Sequence, residues 1–170
     1  PEPDQAQAAA KAVGAVSSGT VVKFRTSRNF VDNWSFGKGR AGWKAPSHAK
    51  FVVFENHVDL NRAKLTARKA GRDVALKDRG NTVGTSKRGV KYVAHAYVRA
   101  AQPNTTVSLR VVERQGRSFK GEDRATLVLR DTGWHQLNVQ YVGRTTGAAI
   151  DVNVVGWNLP KGHVFYADQI

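Results

Sequence analysis

The residues best suited to ligand chemistry stand at every second position of short apolar segments in the C-terminal half of the chain. Because successive side chains of a strand point to opposite faces, His95, Tyr97 and Arg99 would share one face of an extended segment 91–100. The segments 105–113, 135–142 and 149–157 alternate in the same way. The polar positions of these four segments give one set of candidate ligand-binding residues: His95, Tyr97, Arg99, Arg110, Gln136, Asn138, Gln140, Asn153 and Trp157.

This set has the chemistry of a sugar-binding surface. Aromatic rings such as those of Tyr97 and Trp157 stack on the apolar faces of pyranoses, while arginine and amide groups hydrogen-bond hydroxyls or carboxylates. We therefore expect these side chains to line a pre-formed cleft, if their strands lie side by side. The alternative is an ordinary solvated face, since any antiparallel sheet with one wet side is polar there.

Short alternating segments also run through most of the remaining chain, and no long amphipathic helix competes with them. Gly, Pro, Asn and Asp separate the segments, as they do between strands. The pattern predicts an all-β fold, an antiparallel two-sheet β-sandwich of the jelly-roll type, over residues 20–170. Residues 1–19 are rich in Ala and contain no aromatic residue, which predicts a linker or a short helix. The predicted strands cover 21–26, 50–55, 63–69, 74–78, 91–100, 105–113, 124–131, 135–142, 149–157 and 164–170.

Composition narrows the class of protein further. The chain has 170 residues, of which 41% are hydrophobic and 24% charged, as in a globular domain. It contains no Cys, which excludes disulfides and cysteine-ligated metals. Its net charge of +14 would attract polyanions, although the basic residues are dispersed along the chain. No apolar run reaches the roughly 20 residues of a membrane helix, so no membrane partner is expected.

Motifs of several enzyme classes are absent from the sequence. It has no Gly-x-Ser-x-Gly elbow, no His-Glu-x-x-His and no obvious pair of carboxylates for glycoside hydrolysis. Two alternatives to plain sugar binding stay open. A polysaccharide lyase acting on a uronate polymer would use His95 or Tyr97 as its base and Arg99 or Gln140 to neutralise the carboxylate. A basic, aromatic face would also suit single-stranded nucleic acid or another polyanion.

The order of several short motifs adds a resemblance to a known family. The residues Asn33, Phe36, Gly39 and Gly42-Trp43 resemble an opening motif, and matching stretches follow at 97–100, 107–113, 131–136, 151–154 and 165–168. Together they resemble carbohydrate-binding modules of the cellulase-associated jelly-roll superfamily, most closely those appended to secreted actinobacterial enzymes. The resemblance implies non-catalytic polysaccharide binding by a secreted, extracellular module that is tethered to a catalytic or cell-surface domain. The positive charge favours an anionic or cell-wall glycan.

The resemblance also bears on metal binding and on two tryptophans. In this family a Glu after the opening Phe often joins an Asp of the last strand in a structural calcium site. Asp168 matches the Asp, but Gly37 stands where the Glu would be, and Lys38 follows it. Because calcium needs several oxygen ligands and an ammonium group opposes it, we expect either no cofactor or a structural calcium ion at Asp168. The family fold further implies that Trp43 and Trp134 are packing residues.

Overall fold

The computed structural model describes residues 29–56 and 59–170, without the side chains of residues 55, 56, 59 and 60. The predictions for residues 1–19 and for a strand at 21–26 lie outside the described residues. Within the described part the chain forms strands and no helix. The described residues therefore include no helix long and apolar enough to cross a membrane. The strands are β1 (Trp43–Lys44), β2 (Ala49–Asn56), β3 (Asp59–Ala67), β4 (Arg72–Asp78), β5 (Lys91–Ala100), β6 (Thr105–Gln115), β7 (Ser118–Leu129), β8 (His135–Val142), β9 (Ala149–Leu159) and β10 (Val164–Asp168).

The strands form two five-stranded sheets. Sheet 1 has the order β1-β4-β9-β6-β7, sheet 2 has the order β2-β3-β10-β5-β8, and every pairing is antiparallel. From β3 to β6, and again from β7 to β10, each strand lies in the sheet opposite to its predecessor. This repeated crossing is jelly-roll connectivity. The prediction of an antiparallel two-sheet β-sandwich is therefore confirmed.

Two predicted strand starts differ clearly from the structure, and one of them is that of β3, which begins at Asp59 and not at residue 63. The prediction began a strand at residue 124, whereas β7 begins at Ser118. A turn at Gly116, whose φ is 59°, sets Ser118 opposite Gln115, so the ladder with β6 starts at once. The polar residues at the start of β7 are held as a strand by this ladder, although they lack the apolar alternation that sequence reasoning relies on.

The core lies between the two sheets and consists of the inward-facing aliphatic residues of both. Leu109 of β6, Leu65 of β3 and Phe165 of β10 are fully buried there. Phe36 from the chain before β1 and Trp43 of β1 also join this core, with ring centroids 5.6 Å apart. Trp43 is 1% exposed and donates its Nε1 hydrogen to the Asn33 carbonyl at 3.1 Å, which confirms it as a packing residue.

A buried carboxylate ties the two sheets together. Glu113 of β6 is fully buried and accepts hydrogen bonds from the Tyr141 hydroxyl (2.6 Å) and the Ser86 hydroxyl (2.8 Å). It also accepts the backbone N–H groups of Arg144 (2.9 Å) and Thr145 (3.1 Å). Burial alone would raise the pKa of Glu113, but these hydrogen bonds together lower it below its ordinary value of 4.5. Since Tyr141 belongs to β8, the carboxylate joins sheet 1 to sheet 2.

Candidate functional site

The nine sequence-predicted ligand residues fall on two opposite outer surfaces of the sandwich. Arg110, Asn153 and Trp157 lie on the outer surface of sheet 1, which we call face 1. The other six predicted residues lie on the outer surface of sheet 2, which we call face 2: His95, Tyr97, Arg99, Gln136, Asn138 and Gln140. One cleft shared by all nine therefore does not form, because the core separates the two groups. Alternation along each strand predicts a face, but it does not reveal which strands share a sheet.

Face 1 centres on Trp157, whose ring is held by neighbouring strands. Its Nε1 donates to the Ser108 hydroxyl at 2.6 Å, and Ser108 is in turn hydrogen-bonded to the Thr126 hydroxyl at 2.7 Å. The guanidinium carbons of Arg110 and Arg124 lie 5.6 and 5.5 Å from the centre of the Trp157 ring. Such cation–π contacts are worth about 0.5–2 kcal/mol each, depending on solvent access. We call these five residues the Trp157 cluster.

An ion pair fixes one arginine of the cluster. Arg110 donates its Nε hydrogen to Glu122 at 3.0 Å and also donates through Nη2, which makes the pair two-pronged. The hydrogen bond from Arg110 is the main reason why the pKa of Glu122 is lowered, and the nearby charges of Arg110, Arg124 and Arg114 add to it. Two-pronged pairs hold a guanidinium in one plane. The cluster is therefore largely arranged before any ligand arrives.

Beside the Trp157 cluster, side chains that point away from the core are nevertheless buried. Ser108 is 0% exposed, Val155 2% and Asn153 8%, although all three lie on face 1. Larger side chains of the same face, such as Trp157, Arg110 and Arg124, extend further into solvent than these three. The Asn153 amide makes no hydrogen bond with any described residue, and its strand neighbours across the sheet are Lys77 and Arg110. Because its amide atoms reach solvent and are not tied to a neighbouring side chain, this amide is a candidate ligand contact.

Face 2 carries a second cluster, and it contains residues that sequence reasoning did not select. The Arg99 guanidinium carbon lies 5.0 Å from the Tyr166 ring centre and 5.9 Å from that of Trp134. Arg62 and Lys64 flank the same rings at 5.7 and 6.0 Å. We call these five residues the Arg99 cluster. Within the described part of the chain, the buried Nε of Arg99 has no hydrogen-bond partner.

The packing role implied for Trp134 is wrong. This side chain is 37% exposed and lies on face 2 beside Arg62 and Arg99. It precedes β8 directly, so the alternation that placed other residues had not yet begun. The signal that could have identified it is its spacing, since it stands two residues before Gln136, an outward-pointing residue of β8. Tyr166 could have been found by the alternation of β10, in which Phe165 and Ala167 are buried.

The remaining predicted residues of face 2 are less constrained. His95, Gln136, Asn138 and Gln140 are exposed and Tyr97 is half-buried. The register places Tyr97 opposite Gln136 and His95 opposite Asn138, so these side chains do share one surface. Their side chains make no hydrogen bonds with described residues. Their role as ligand contacts, and the role of His95, Tyr97, Arg99 and Gln140 in a lyase, stay predictions.

Asp168, the predicted calcium ligand, also lies on face 2, opposite Tyr97. Burial raises the pKa of Asp168 to about 6, against the lowering effects of a hydrogen bond from the Gln169 N–H (2.8 Å) and of the Arg62 charge. The described residues contain no group of three or more His, Cys, Asp or Glu side chains that could hold a metal ion. With a guanidinium as its charged neighbour, this carboxyl does not fit a calcium site among the described residues.

Comparisons with known proteins place the fold and leave the family open. No protein-family model matches the chain, and no curated protein matches it significantly in sequence. Among solved structures it is similar to a family 16 carbohydrate-binding module, with a TM-score of 0.56 and 18% identity over 82% of this chain and 96% of that one. It is also similar to the module TmCBM61 in complex with β-1,4-galactotriose, with a TM-score of 0.57 and 16% identity over 84% of this chain and 96% of that one.

A third similar structure is much longer than this chain. It is an arabinose-bound MgGH51 α-L-arabinofuranosidase, with a TM-score of 0.60 and 15% identity. The match covers 81% of this chain and only 25% of the enzyme. At such low identities these likenesses show the fold alone, which is the β-sandwich also found in carbohydrate-binding modules.

Proposed function

We propose that the protein binds a polysaccharide without transforming it, and that the Trp157 cluster with Asn153 forms the binding site. The observation that carries this proposal is an aromatic ring and a guanidinium that are already fixed in place, beside an Asn153 amide that makes no hydrogen bond with a described residue and reaches solvent. The similarity in fold to carbohydrate-binding modules, one of them in complex with β-1,4-galactotriose, supports the same conclusion.

The role of each side chain in binding the sugar follows from its chemistry. Trp157 provides the apolar surface on which a sugar ring packs. The Asn153 amide offers both a donor and an acceptor to hydroxyl groups, and Arg110 and Arg124 donate to hydroxyl or carboxylate oxygens. The two guanidinium groups favour an anionic or cell-wall glycan, in keeping with the net charge of +14.

Fixed side chains favour the Trp157 cluster over the exposed polar residues of face 2 as the main site. Ordering a mobile side chain costs about 0.5–1.5 kcal/mol, so fixing three of the exposed polar residues of face 2 would cost about 1.5–4.5 kcal/mol. Weak glycan binding, with a Kd of about 10 μM–1 mM, releases only about 4–7 kcal/mol. Trp157 and Arg110 are already held by Ser108 and Glu122, which spares most of this cost on face 1.

The carboxylates near the site support binding over hydrolysis. Glu122 is paired with Arg110, and its lowered pKa keeps it ionised, unlike a general acid. Burial, and secondarily the charge of Asp78, raises the pKa of Asp151, which lies two residues from Asn153 on β9. A glycosidase needs one carboxyl that stays protonated and a second that is free to act opposite it. Glu122 is committed to an arginine and does not supply the second role.

The wider setting belongs to the same proposal. We expect a secreted, extracellular module, tethered to a catalytic or cell-surface domain, of the kind appended to actinobacterial enzymes. Two findings support a modular role: the match spans 25% of the arabinofuranosidase, and it spans 96% of each of two separate carbohydrate-binding modules.

Calorimetric titration with xylan, β-1,4-galactan and polygalacturonate would test the proposal. Trp157→Ala should weaken binding about tenfold or more, because it removes the stacking surface. Trp134→Ala is the matched control, since it removes the same side chain from the opposite face, and it should change Kd less than about twofold. Both variants need an unchanged circular dichroism spectrum. A loss confined to Trp134→Ala would move the site to face 2, and unchanged binding in both variants would refute sugar stacking on either tryptophan.

A further inference from the structure

A cavity of about 450 Å³ opens at one edge of the sandwich, away from the Trp157 cluster. Its walls are β1, residues 45–47 of the following loop, the first half of β2, and Arg40, Arg68 and Arg79 from neighbouring turns. Backbone hydrogen bonds fix these walls, from the Arg79 N–H to the Gly42 carbonyl (2.7 Å) and from the Arg68 N–H to the His48 carbonyl (2.9 Å). Its volume lies within the range of about 300–1,000 Å³ that is usual for small-molecule sites.

The lining of this cavity is strongly basic. Twelve of the described residues line it, and they include no acid and five cations: Arg40, Lys44, Lys50, Arg68 and Arg79. Five like charges around one cavity repel each other, and no carboxylate among the described lining residues offsets them. An anion placed among them would remove this repulsion.

Two of these cations are oriented by hydrogen bonds to backbone carbonyls, whereas two others have charged ends that are available to bind an anion. Arg40 donates through Nη1 to the Phe51 carbonyl (3.2 Å), and its guanidinium carbon lies 5.7 Å from the Phe51 ring centre. Arg79 donates through Nε to the Trp43 carbonyl (3.1 Å). The charged ends of Lys50 and Arg68 make no hydrogen bond or ion pair with described residues. Each guanidinium keeps further N–H groups for an oxyanion.

The shape and lining indicate which anion would fit. Trp43 and Phe51 are 1% and 8% exposed, so neither ring is available to stack on a nucleic-acid base. A compact group that carries several oxygens fits better, because guanidinium groups bind oxyanions in a planar, two-pronged manner.

We propose that this cavity is a second binding site, which takes the carboxylate or sulfate group of an acidic sugar. The identification of the ligand as a sugar rests on the proposed function. The identification of an oxyanion site rests only on the cavity and its cationic lining. The site is separate from the Trp157 cluster, with which it shares no residue. The protein would then hold an acidic glycan at two places, stacking on face 1 and neutralising charge at the edge.

The test compares two charge-matched double variants. Lys50→Ala with Arg68→Ala removes two cavity cations, and Lys91→Ala with Arg117→Ala removes two exposed cations that do not line the cavity. Calorimetric titration uses trigalacturonate, neutral galactotriose and sodium sulfate, at one fixed ionic strength. We expect the cavity variant to lose about tenfold or more in affinity for trigalacturonate, and the control variant to lose less than about threefold.

The other ligands separate this proposal from the proposed function. Sulfate should raise the melting temperature of the wild type and of Trp157→Ala alike, and should do so much less in the cavity variant. Galactotriose binding should be lost in Trp157→Ala and kept in the cavity variant. Equal losses in both double variants would mean that net charge acts alone, and trigalacturonate binding that is unchanged in the cavity variant would refute the site. Failure of galactotriose to bind at all would count against the proposed function and leave the sulfate result to decide on the cavity.

Discussion

Replacing Glu113 by Gln should destabilise the protein by about 3 kcal/mol. The carboxylate accepts two hydrogen bonds at each oxygen, from Ser86 and Thr145 at Oε1 and from Tyr141 and Arg144 at Oε2. Gln keeps one acceptor oxygen but turns an NH₂ group toward one backbone N–H, which loses its acceptor, and toward one hydroxyl, which must rotate to accept instead of donating. The remaining hydrogen bonds lose the charge of their acceptor. Hydrogen bonds to a charged group contribute about 1.5–3 kcal/mol each, and partial relaxation reduces their sum.

Urea unfolding monitored by tryptophan fluorescence would measure this loss, together with thermal melting. For a chain of this size, a loss of 3 kcal/mol corresponds to a fall in Tm of about 6–12 °C. Glu122→Gln is the matched control, since its carboxylate also pairs with a strand neighbour but is part-exposed, and it should cost about 1 kcal/mol or less. If Glu113→Gln costs no more than the control, then Glu113 does not hold the two sheets together.

The same prediction has a pH signature. The pKa of Glu113 is lower in the folded state than its ordinary value of 4.5, so its contribution is fully present above that value and is lost as the pH falls through the folded pKa. The stability difference between the wild type and Glu113→Gln should therefore shrink below about pH 4. A difference that stays constant from pH 7 to acid would show that the carboxylate charge plays no part.

Three further outcomes are expected. Asp168→Asn should raise Tm at about pH 8 by the equivalent of about 1–2 kcal/mol and change it little at about pH 4. The reason is that burial raises the pKa of Asp168 to about 6, so the folded wild type loses stability as the pH rises through that value. A difference in Tm that does not depend on pH would contradict this. Calcium or a chelator should leave Tm unchanged, whereas a chelator-sensitive shift would point to oxygen ligands outside the described residues. Gly156→Ala should cost about 1–3 kcal/mol, since an added Cβ would stand 2.8 Å from atoms of Leu159 and Phe165; Gly84→Ala, with open space around it, should stay within about 0.5 kcal/mol, and equal costs would refute the packing argument.

Sequence alternation predicted individual faces well because it reports a local property. Asn153 and Trp157 point outward on β9, as expected from their spacing between Val152, Val154 and Gly156. Pairing is not local, since β9 lies between β4 and β6, and β5 lies between β10 and β8. Nothing in one strand records its partners, so the division of the predicted residues between two faces needed the structure.

Residues whose role depends on distant partners were harder to recognise. Glu113 looked like an ordinary acidic residue near a strand end, and its burial depends on Ser86, Tyr141 and the turn after β8. The cation-lined cavity is similar, because its charges come from positions 40 to 79 and only the fold gathers them. Such sites carry no fixed spacing, unlike the alternation that places a side chain on a sheet face.

The hydrogen bonds to Glu113 also have a consequence for local opening of the chain. The amide hydrogens of Arg144 and Thr145 lie in the turn between β8 and β9, where rapid exchange with solvent would be expected. Both are donated to a buried carboxylate that bridges the two sheets, so we expect their release to require separation of the sheets. The amide hydrogens of these two residues should therefore exchange about as slowly as those of the central strands, through the same cooperative opening of the sandwich.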